Sequence, residues 1–197
     1  MTGCDNSSGF GFKTASELIC RGFNVIACCY HADAARSVSC ALKSIAHCHG
    51  MKEDHIHTLT VDVRSDESVS TCVELAQKYA SSCDGKLWAL VNNAGVQSGT
   101  LVDWTSLRDY EVESRGWVEE AKIDRNHAKP KNFHTICAQV CMEVNFFGVV
   151  RMTKKCLPHL KRSGGRVVTI TSIDGLRTLP GISAYSASKH AAEVIFV

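Results

Sequence analysis

Several features that would indicate a membrane, secreted or nucleic-acid-binding protein are lacking from the sequence. No apolar run approaches the ~20 residues that a membrane-spanning helix needs, and polar residues directly after Met1 argue against a secretory signal peptide. The net charge is only +2, so the chain has neither the basic surface of a nucleic-acid-binding protein nor an acidic tail. These absences favour a cytoplasmic globular protein with no nucleic-acid partner.

Metal-ligand spacings and a P-loop are also lacking, although cysteine is abundant. The eleven cysteines are odd in number and scattered, so we expect reduced thiols rather than a disulfide framework. Between Cys40 and His57 the cysteines and histidines follow no finger-like pattern, and we expect no metal. Gly85 and Lys86 precede Leu87 instead of Ser or Thr, which excludes the P-loop of nucleotide hydrolases.

What the sequence does contain is a regular alternation of strand and helix patterns. The predicted strands are 23–29, 55–61, 87–91 and 166–172, and the predicted helices are 12–22, 33–47, 66–80, 140–162 and 185–196. Apolar strands separated by helices are typical of a parallel sheet covered on both faces. We therefore expect one α/β domain over residues 1–197, built on a doubly wound parallel sheet.

Three glycines in the opening MTGCDNSSGFG form a candidate phosphate-binding turn. Gly3, Gly9 and Gly11 permit backbone angles that other residues avoid, and they let backbone N–H groups approach a pyrophosphate. A helix starting near Phe10 would point its N-terminus at the phosphates. An ordinary surface loop explains the same glycines, so the turn alone decides nothing.

A second candidate is the segment YSASK, in which Tyr185 and Lys189 are four residues apart. On a helix this spacing puts both side chains on one face. The ammonium would favour the ionised phenol there, which makes the pair a candidate acid–base centre. A solvated helix face is the simpler interpretation of these two residues alone.

Other polar residues fall at or near the ends of predicted strands, where sheets of this kind bind ligands. Ser172 ends the last strand, Asn92 opens NNAG after the third, and Asp62 lies in VDV after the second. Asn145 lies in the long helix, within VNFFG. The ordered set supports a single site more strongly than any motif alone.

Together these motifs resemble the short-chain dehydrogenase/reductase family. TGCD with SGFGF, LWALVNNAG, TSLRDY, VNFFGVVRMTKKCLPHL, GRVV and YSASK are similar to the branch that contains 3-hydroxybutyrate, retinol and 17β-hydroxysteroid dehydrogenases. The resemblance covers the chain apart from 112–139. It implies a Rossmann-like fold and an oxidoreductase that interconverts a secondary alcohol and its carbonyl, of steroid, retinoid or hydroxy-acid type, with a nicotinamide cofactor.

The resemblance also implies roles for four catalytic residues. Tyr185 would move the proton, and Ser172 would hold the substrate oxygen. Lys189 would stabilise the phenolate and bind the nicotinamide ribose, and Asn145 would position a water that links Lys189 to solvent.

Cofactor-binding residues follow from the same resemblance. Those implied are the phosphate turn (Gly3, Gly9, Phe10, Gly11), the adenine-binding Asp62 with Val63, Lys189, and Asn92, which would support the loop beside the cofactor. The choice between NAD and NADP should be made after strand 23–29, near Tyr30 and His31, yet neither an acid nor an arginine stands there. NAD is expected because the resembling branch mostly uses it, with NADP as the alternative.

The chain departs from the family pattern in four places. Five residues separate Gly3 from Gly9, two more than in the family, and no strand precedes Thr2. The strands that should follow the YSASK helix are absent, and 112–139 interrupts a helix as either a surface insertion or a retained intron. We expect an incomplete sheet here, and a full-length form that is a homo-oligomer and, with an N-terminal anchor, membrane-associated. The departures leave a second class open: a catalytically silent nucleotide-binding or interaction module.

Overall fold

The computed structural model describes residues 1–83, 85–97 and 133–195. Helices and short parallel strands alternate along these residues. The elements are α1 (Phe10–Cys20), β1 (Val25–Cys29), α2 (Ala32–Cys48), a 3-10 turn (Glu53–His55), β2 (Ile56–Thr60), α3 (Asp66–Ser82), β3 (Ala89–Asn92), α4 (Phe133–Met142), a π-helical segment (Glu143–Phe147), α5 (Gly148–Ser163), β4 (Arg166–Thr169), a second 3-10 turn (Ile173–Gly175) and α6 (Ser183–Val194).

The four strands form two parallel pairs. In the first pair Val25 of β1 lies opposite Ile56 of β2, and in the second Ala89 of β3 lies opposite Arg166 of β4. Parallel strands need crossover connections. In the chain, α2 lies between β1 and β2, α3 between β2 and β3, and α5 between β3 and β4. The predicted α/β class with a parallel sheet is therefore confirmed.

Residues Met1–Cys4 join the two pairs. On one side Cys28 donates its N–H to the carbonyl of Met1 at 2.8 Å, and Cys4 donates to the carbonyl of Cys28 at 3.1 Å. On the other side Thr2 donates to the carbonyl of Val91 at 3.0 Å. This short segment therefore lies between β1 and β3, in the position of a central strand, and places the glycine-rich turn at the carboxyl edge of the sheet.

Below Met1, a cavity of about 360 Å³ separates β1 from β3. Along β1 and β3, the backbone groups of successive residues point alternately to the outer strand, β2 or β4, and to the centre of the sheet. The residues next to Ile26 and Ala89 bond to the outer strands, so the backbone of Ile26 and of Ala89 faces this cavity. Its walls include the stacked rings of Phe23 and Trp88. In the part of the chain that the structure describes, the centre of the sheet is therefore filled only by Met1–Cys4, in the place of the strand that was expected to be missing.

Two apolar cores cover the two faces of the sheet. One packs α1 and α2 against β1, with Ile19, Leu42 and Ala27 at its centre. The other packs α3 and α5 against β2 and β3, with Val69 and Met152 among its members. Helices on both faces explain why β1 is apolar on both sides, and they confirm the doubly wound arrangement.

Two predicted boundaries near the candidate site differ from the structure. Strand β4 ends at Thr169, so Ser172 does not end it but caps the 3-10 turn that follows. The helix predicted over 140–162 is preceded by α4, which begins at Phe133 inside the segment 112–139. The rest of that segment, 112–132, lies outside the described residues. The helical stretch begins earlier than predicted because FHTICAQ, residues 133–139, contains no proline or glycine that would end a helix.

Within the described ranges, no helix is long and apolar enough to cross a membrane. Nor does any cluster of three or more histidine, cysteine or acidic side chains there form a metal site. Ten cysteines whose side chains the structure describes are free thiols: Cys4, Cys20, Cys28, Cys29, Cys40, Cys48, Cys72, Cys83, Cys141 and Cys156. The sulfur atoms of Cys28 and Cys72 lie 3.7 Å apart in the core.

Candidate active site and cofactor cleft

Two glycines of the opening turn are required by their surroundings. Gly3 has a φ of +72°, and a Cβ there would lie 2.8 Å from the Cα of Ala94. A Cβ on Gly11 would overlap the carbonyl of Gly3. Because any larger side chain would push these backbones apart, the glycines keep the turn packed between α1 and the segment after β3.

The long turn delivers an uncapped helix N-terminus. Asn6 closes the additional residues into a local turn: its side chain accepts from the N–H of Ser8 at 2.9 Å, and its carbonyl accepts from Gly9 at 2.9 Å. Gly9 is the N-cap of α1 and provides no side-chain cap. The first N–H groups of α1, from Phe10 onward, are therefore available to an anion such as a pyrophosphate.

Asn93, and not Asn92, holds the turn. The amide of Asn93 donates to the carbonyls of Thr2 and Gly3, both at 3.0 Å. Asn92 is buried on the opposite side and donates to the hydroxyl of Thr153 in α5 at 3.1 Å. Asn92 and Asn93 differ in this way because successive strand residues point to opposite faces; the role of Asn92 in supporting the loop beside the cofactor stays a prediction.

Asp62 and Val63 follow the end of β2, and Arg64 forms a salt bridge with Asp62. The guanidinium of Arg64 donates to both carboxylate oxygens at 2.8–3.1 Å, and its backbone N–H donates at 2.9 Å. Burial opposes ionisation of Asp62, but the hydrogen bonds and charge of Arg64 outweigh it and lower the pKa of the carboxyl. Arg64 also donates to the phenol oxygen of Tyr30 at 2.8 Å.

These residues surround a cavity of about 380 Å³ at the carboxyl ends of β1, β2 and β3. This is the edge at which doubly wound sheets bind ligands. The described residues that line it are Gly3, Asp5, Tyr30, His31, Val61, Asp62, Val63, Arg64, Ala94, Gly95, Val96, Val140 and Val144.

At the Gly95 end of this cavity, Lys189 and Asn145 come together. A Cβ on Gly95 would lie 3.3 Å from Nζ of Lys189 and 3.4 Å from Oδ1 of Asn145. Lys189 is only 5 % exposed, and burial lowers the pKa of its ammonium, against a smaller opposing effect of Cys141. Its Nζ donates to the carbonyl of Ile170 at 2.8 Å.

Asn145 is fixed by its backbone and by its amide. It lies in the π-helical segment, a geometry frequent at functional sites. The Oδ1 atom accepts from the N–H of Val96 at 2.9 Å, and Nδ2 donates to the carbonyl of Val96 and the hydroxyl of Ser188, also at 2.9 Å. Asn145 therefore ties the loop after β3 to α6.

Tyr185 and Ser172 lie on the segments that Lys189 connects. The Nζ atom of Lys189 is 5.9 Å from the centre of the Tyr185 ring, as the spacing of four residues predicts. In the part of the chain that the structure describes, the Tyr185 hydroxyl has no hydrogen-bond partner. The hydroxyl of Ser172 donates to the carboxylate of Asp174 at 3.2 Å and accepts from the N–H of Asp174 at 3.2 Å.

Comparison with known proteins agrees with this geometry. A family model described as short chain dehydrogenase matches residues 1–196. The chain belongs to the short-chain dehydrogenase family. The resemblance inferred from the motifs is thereby confirmed.

Among curated relatives of the chain, the mitochondrial D-beta-hydroxybutyrate dehydrogenase of Rattus norvegicus is 32% identical over 98% of the chain and 46% of the relative. The 11-beta-hydroxysteroid dehydrogenase type 2 of Ovis aries is 33% identical over 99% of the chain and 36% of the relative. The chain spans about half the length, or less, of these two relatives.

Solved structures support the same fold. A short chain dehydrogenase from Mycobacterium smegmatis superposes with a TM-score of 0.71, at 20% identity over 97% of this chain and 64% of that one. A short chain dehydrogenase/reductase from Burkholderia phymatum in complex with NAD gives a TM-score of 0.70, at 19% identity over 98% and 55%.

The residues that line this cleft fit a dinucleotide. The close packing of Gly3 and Gly11 holds the turn beside the uncapped start of α1, whose first N–H groups suit a pyrophosphate. Sequence reasoning found the glycines but missed Asp5, Arg64 and Asn93 beside them. Asn93 stood within the quoted NNAG, but nothing in a single sequence shows which of its two asparagines faces the turn.

Proposed function

We propose that the protein is an NAD(P)-dependent oxidoreductase that interconverts a secondary alcohol and its carbonyl, with Tyr185 as the acid–base group. The names of the curated relatives support a hydroxysteroid or a hydroxy acid as the substrate class. The coarser statement, a family of oxidoreductases that act on hydroxyl groups, follows from family membership. The finer one concerns this chain and needs its own test.

The observation that carries the proposal is the placement of Lys189. A buried ammonium is costly unless something uses its charge, and this one is held beside Gly95 at the end of the cavity and below the ring of Tyr185. Lys189 donates a hydrogen bond to the carbonyl of Ile170, which lies two residues before Ser172 in the chain. A structural lysine at a solvated helix face would not be buried in this way.

The side chains can then divide the work. The hydroxyl of Tyr185 exchanges a proton with the substrate oxygen, and the positive charge of Lys189 stabilises the phenol oxygen while the proton is away. Ser172 would hold the substrate oxygen once its hydroxyl turns from Asp174. When bound, the nicotinamide cofactor supplies hydride exchange at the substrate carbon. Asn145 keeps the Val96 loop and α6 in register around Lys189.

The glycine turn with Phe10 and the carboxyl-edge residues Asp62 and Val63 would hold the cofactor. Four expectations stay predictions. They are the role of Asn145 in positioning a water, the homo-oligomer and the membrane association expected of a longer form, and the location of the protein in the cell.

Turnover of purified protein tests this function. The protein is incubated with NAD⁺ or NADP⁺ and a panel that includes D-3-hydroxybutyrate and hydroxysteroids, and reduced nicotinamide is followed at 340 nm. We expect Tyr185→Phe to lower kcat by about 10²–10⁴-fold, the usual contribution of acid–base catalysis, while the Kd for NADH stays unchanged.

Tyr79→Phe is the matched control, because Tyr79 stacks on His57 far along α3 and lines the other cavity. It should leave kcat unchanged. Circular dichroism of each variant establishes that it is folded. Binding of NADH without turnover of any alcohol would instead favour the silent nucleotide-binding module, and Tyr185→Phe with full activity would contradict the mechanism.

A further inference from the structure

An acid stands at the end of β1 after all, supplied by the glycine-rich turn. The carboxylate of Asp5 accepts hydrogen bonds through Oδ1 from the backbone N–H of Tyr30 at 2.7 Å and of His31 at 3.0 Å. These two residues directly follow Cys29, the last residue of β1. The sequence has no acid at that point, because Asp5 lies 25 residues earlier in the chain.

The pairing of the N-terminal segment with β1 brings Asp5 there. Cys4 donates its N–H to the carbonyl of Cys28 at 3.1 Å, so the next residue of each strand continues side by side. Cys4 is completely buried, which leaves little freedom to the start of the turn. The position of Asp5 therefore follows from strand pairing and not from a mobile loop.

The charge around Asp5 decides which ligand it suits. Asp5, Tyr30 and His31 line the same cavity as Asp62 and Arg64. Arg64 is committed to Asp62 through bonds to both carboxylate oxygens. Among the described residues, no lysine, arginine or histidine side chain forms an ion pair with Asp5.

We propose that Asp5 makes this protein select NAD(H) over NADP(H), an inference that rests on the proposed function. Its free oxygen, Oδ2, is suited to accept hydrogen bonds from the hydroxyls of the adenosine ribose. A 2′-phosphate would meet a like charge at this point. It would also find the N–H groups of Tyr30 and His31 already bonded to Oδ1.

Equilibrium binding of NADH and NADPH tests the inference without any need for turnover. The Kd of each cofactor is measured by the change in nicotinamide fluorescence, for the unmodified protein and for Asp5→Asn. Asparagine keeps an acceptor for the two N–H groups, removes the charge and replaces the second carboxylate oxygen by an NH2 group. We expect the ratio Kd(NADPH)/Kd(NADH) to fall at least about tenfold, the effect of some 1.4 kcal/mol of repulsion.

Asp33→Asn is the matched control. Asp33 lies in the first turn of α2, a few residues after β1, with an exposed side chain. It should leave the ratio within about twofold, since it lies outside the cavity. Asp5→Ser, a second variant that also lacks the charge, should shift the ratio in the same direction if Asp5→Asn folds poorly.

The outcomes separate the two proposals. If the unmodified protein binds NADH and the ratio is unchanged in both Asp5 variants, Asp5 is not the selector and the proposed function stands. A shift of the ratio with Asp33→Asn instead would assign selection to α2. If the folded protein binds neither cofactor, the proposed function and this inference fail together.

Discussion

The ammonium of Lys189 donates a 2.8 Å hydrogen bond to the carbonyl of Ile170, just after the last residue of β4. The bond joins α6 to the segment that leads to Ser172, while Gly175 allows the same segment to pack on the backbone of Lys189. A Cβ on Gly175 would come within 3.0 Å of that backbone. One buried cation therefore organises both chain segments that hold the candidate catalytic hydroxyls.

Two adjacent asparagines should behave oppositely when truncated. Asn93→Ala removes the two bonds to Thr2 and Gly3, so the turn is less preorganised and the Kd for NADH should rise about tenfold. Asn92→Ala removes a buried bond to Thr153 and should lower the free energy of unfolding by about 1–3 kcal/mol with NADH affinity retained. Fluorescence titration and urea unfolding of both variants check this. The reverse pattern would favour the cofactor role of Asn92.

Asn145→Ala should destabilise the fold strongly. The amide is 1 % exposed and makes hydrogen bonds to Val96 and Ser188, so its loss leaves buried polar groups unpaired. We expect the free energy of unfolding to fall by about 2–4 kcal/mol, measured by urea denaturation. Asn24→Ala, at an exposed position, is the control and should change it by less than about 0.5 kcal/mol. Equal effects of the two variants would show that Asn145 is not a structural anchor.

Stability should depend on pH through His57. Burial lowers the pKa of this imidazole below its ordinary value of 6.5, and it outweighs the smaller raising effect of the Asp54 backbone carbonyl, which accepts from the ring. The unfolded state therefore binds more protons between the two values, and the folded state loses stability as the pH falls below 6.5. We expect the stability difference between the unmodified protein and His57→Gln to shrink from pH 8 to pH 5. A difference that stays constant over this range would contradict the burial effect.

An extended apolar segment placed before Met1 should stabilise the protein. The amino group of Met1 already donates to the carbonyl of Ile26 at 2.8 Å, so a strand that continues upstream of Met1 would run along β1 into the cavity between β1 and β3, which the backbone of Ala89 also faces. A fused run of about five β-branched residues, a usual strand length, should raise the midpoint of thermal unfolding by several degrees. A Gly/Ser run of equal length is the control. Equal midpoints for the two fusions would show that the cavity does not accept a strand.

The pattern of the sequence predicted the element types because hydrophobic periodicity records burial directly. Val25–Cys29 is apolar throughout since helices cover both of its faces. Strand and helix ends were less accurate, as at Ser172, because capping depends on local bonds such as those with Asp174. Nor does a single sequence distinguish Asn92 from Asn93, whose opposite directions follow from the strand register.

The amino-acid sequence by itself determined the α/β class, the glycines of the turn and the spacing of Tyr185 and Lys189, because these depend on local sterics and helical periodicity. Only the tertiary structure decided that Asp5 reaches the end of β1, that Arg64 engages Asp62 beside it and that Lys189 bonds to Ile170. The reason is physical: hydrogen bonds between distant residues depend on how strands pair and helices pack, and no short stretch of sequence carries that information.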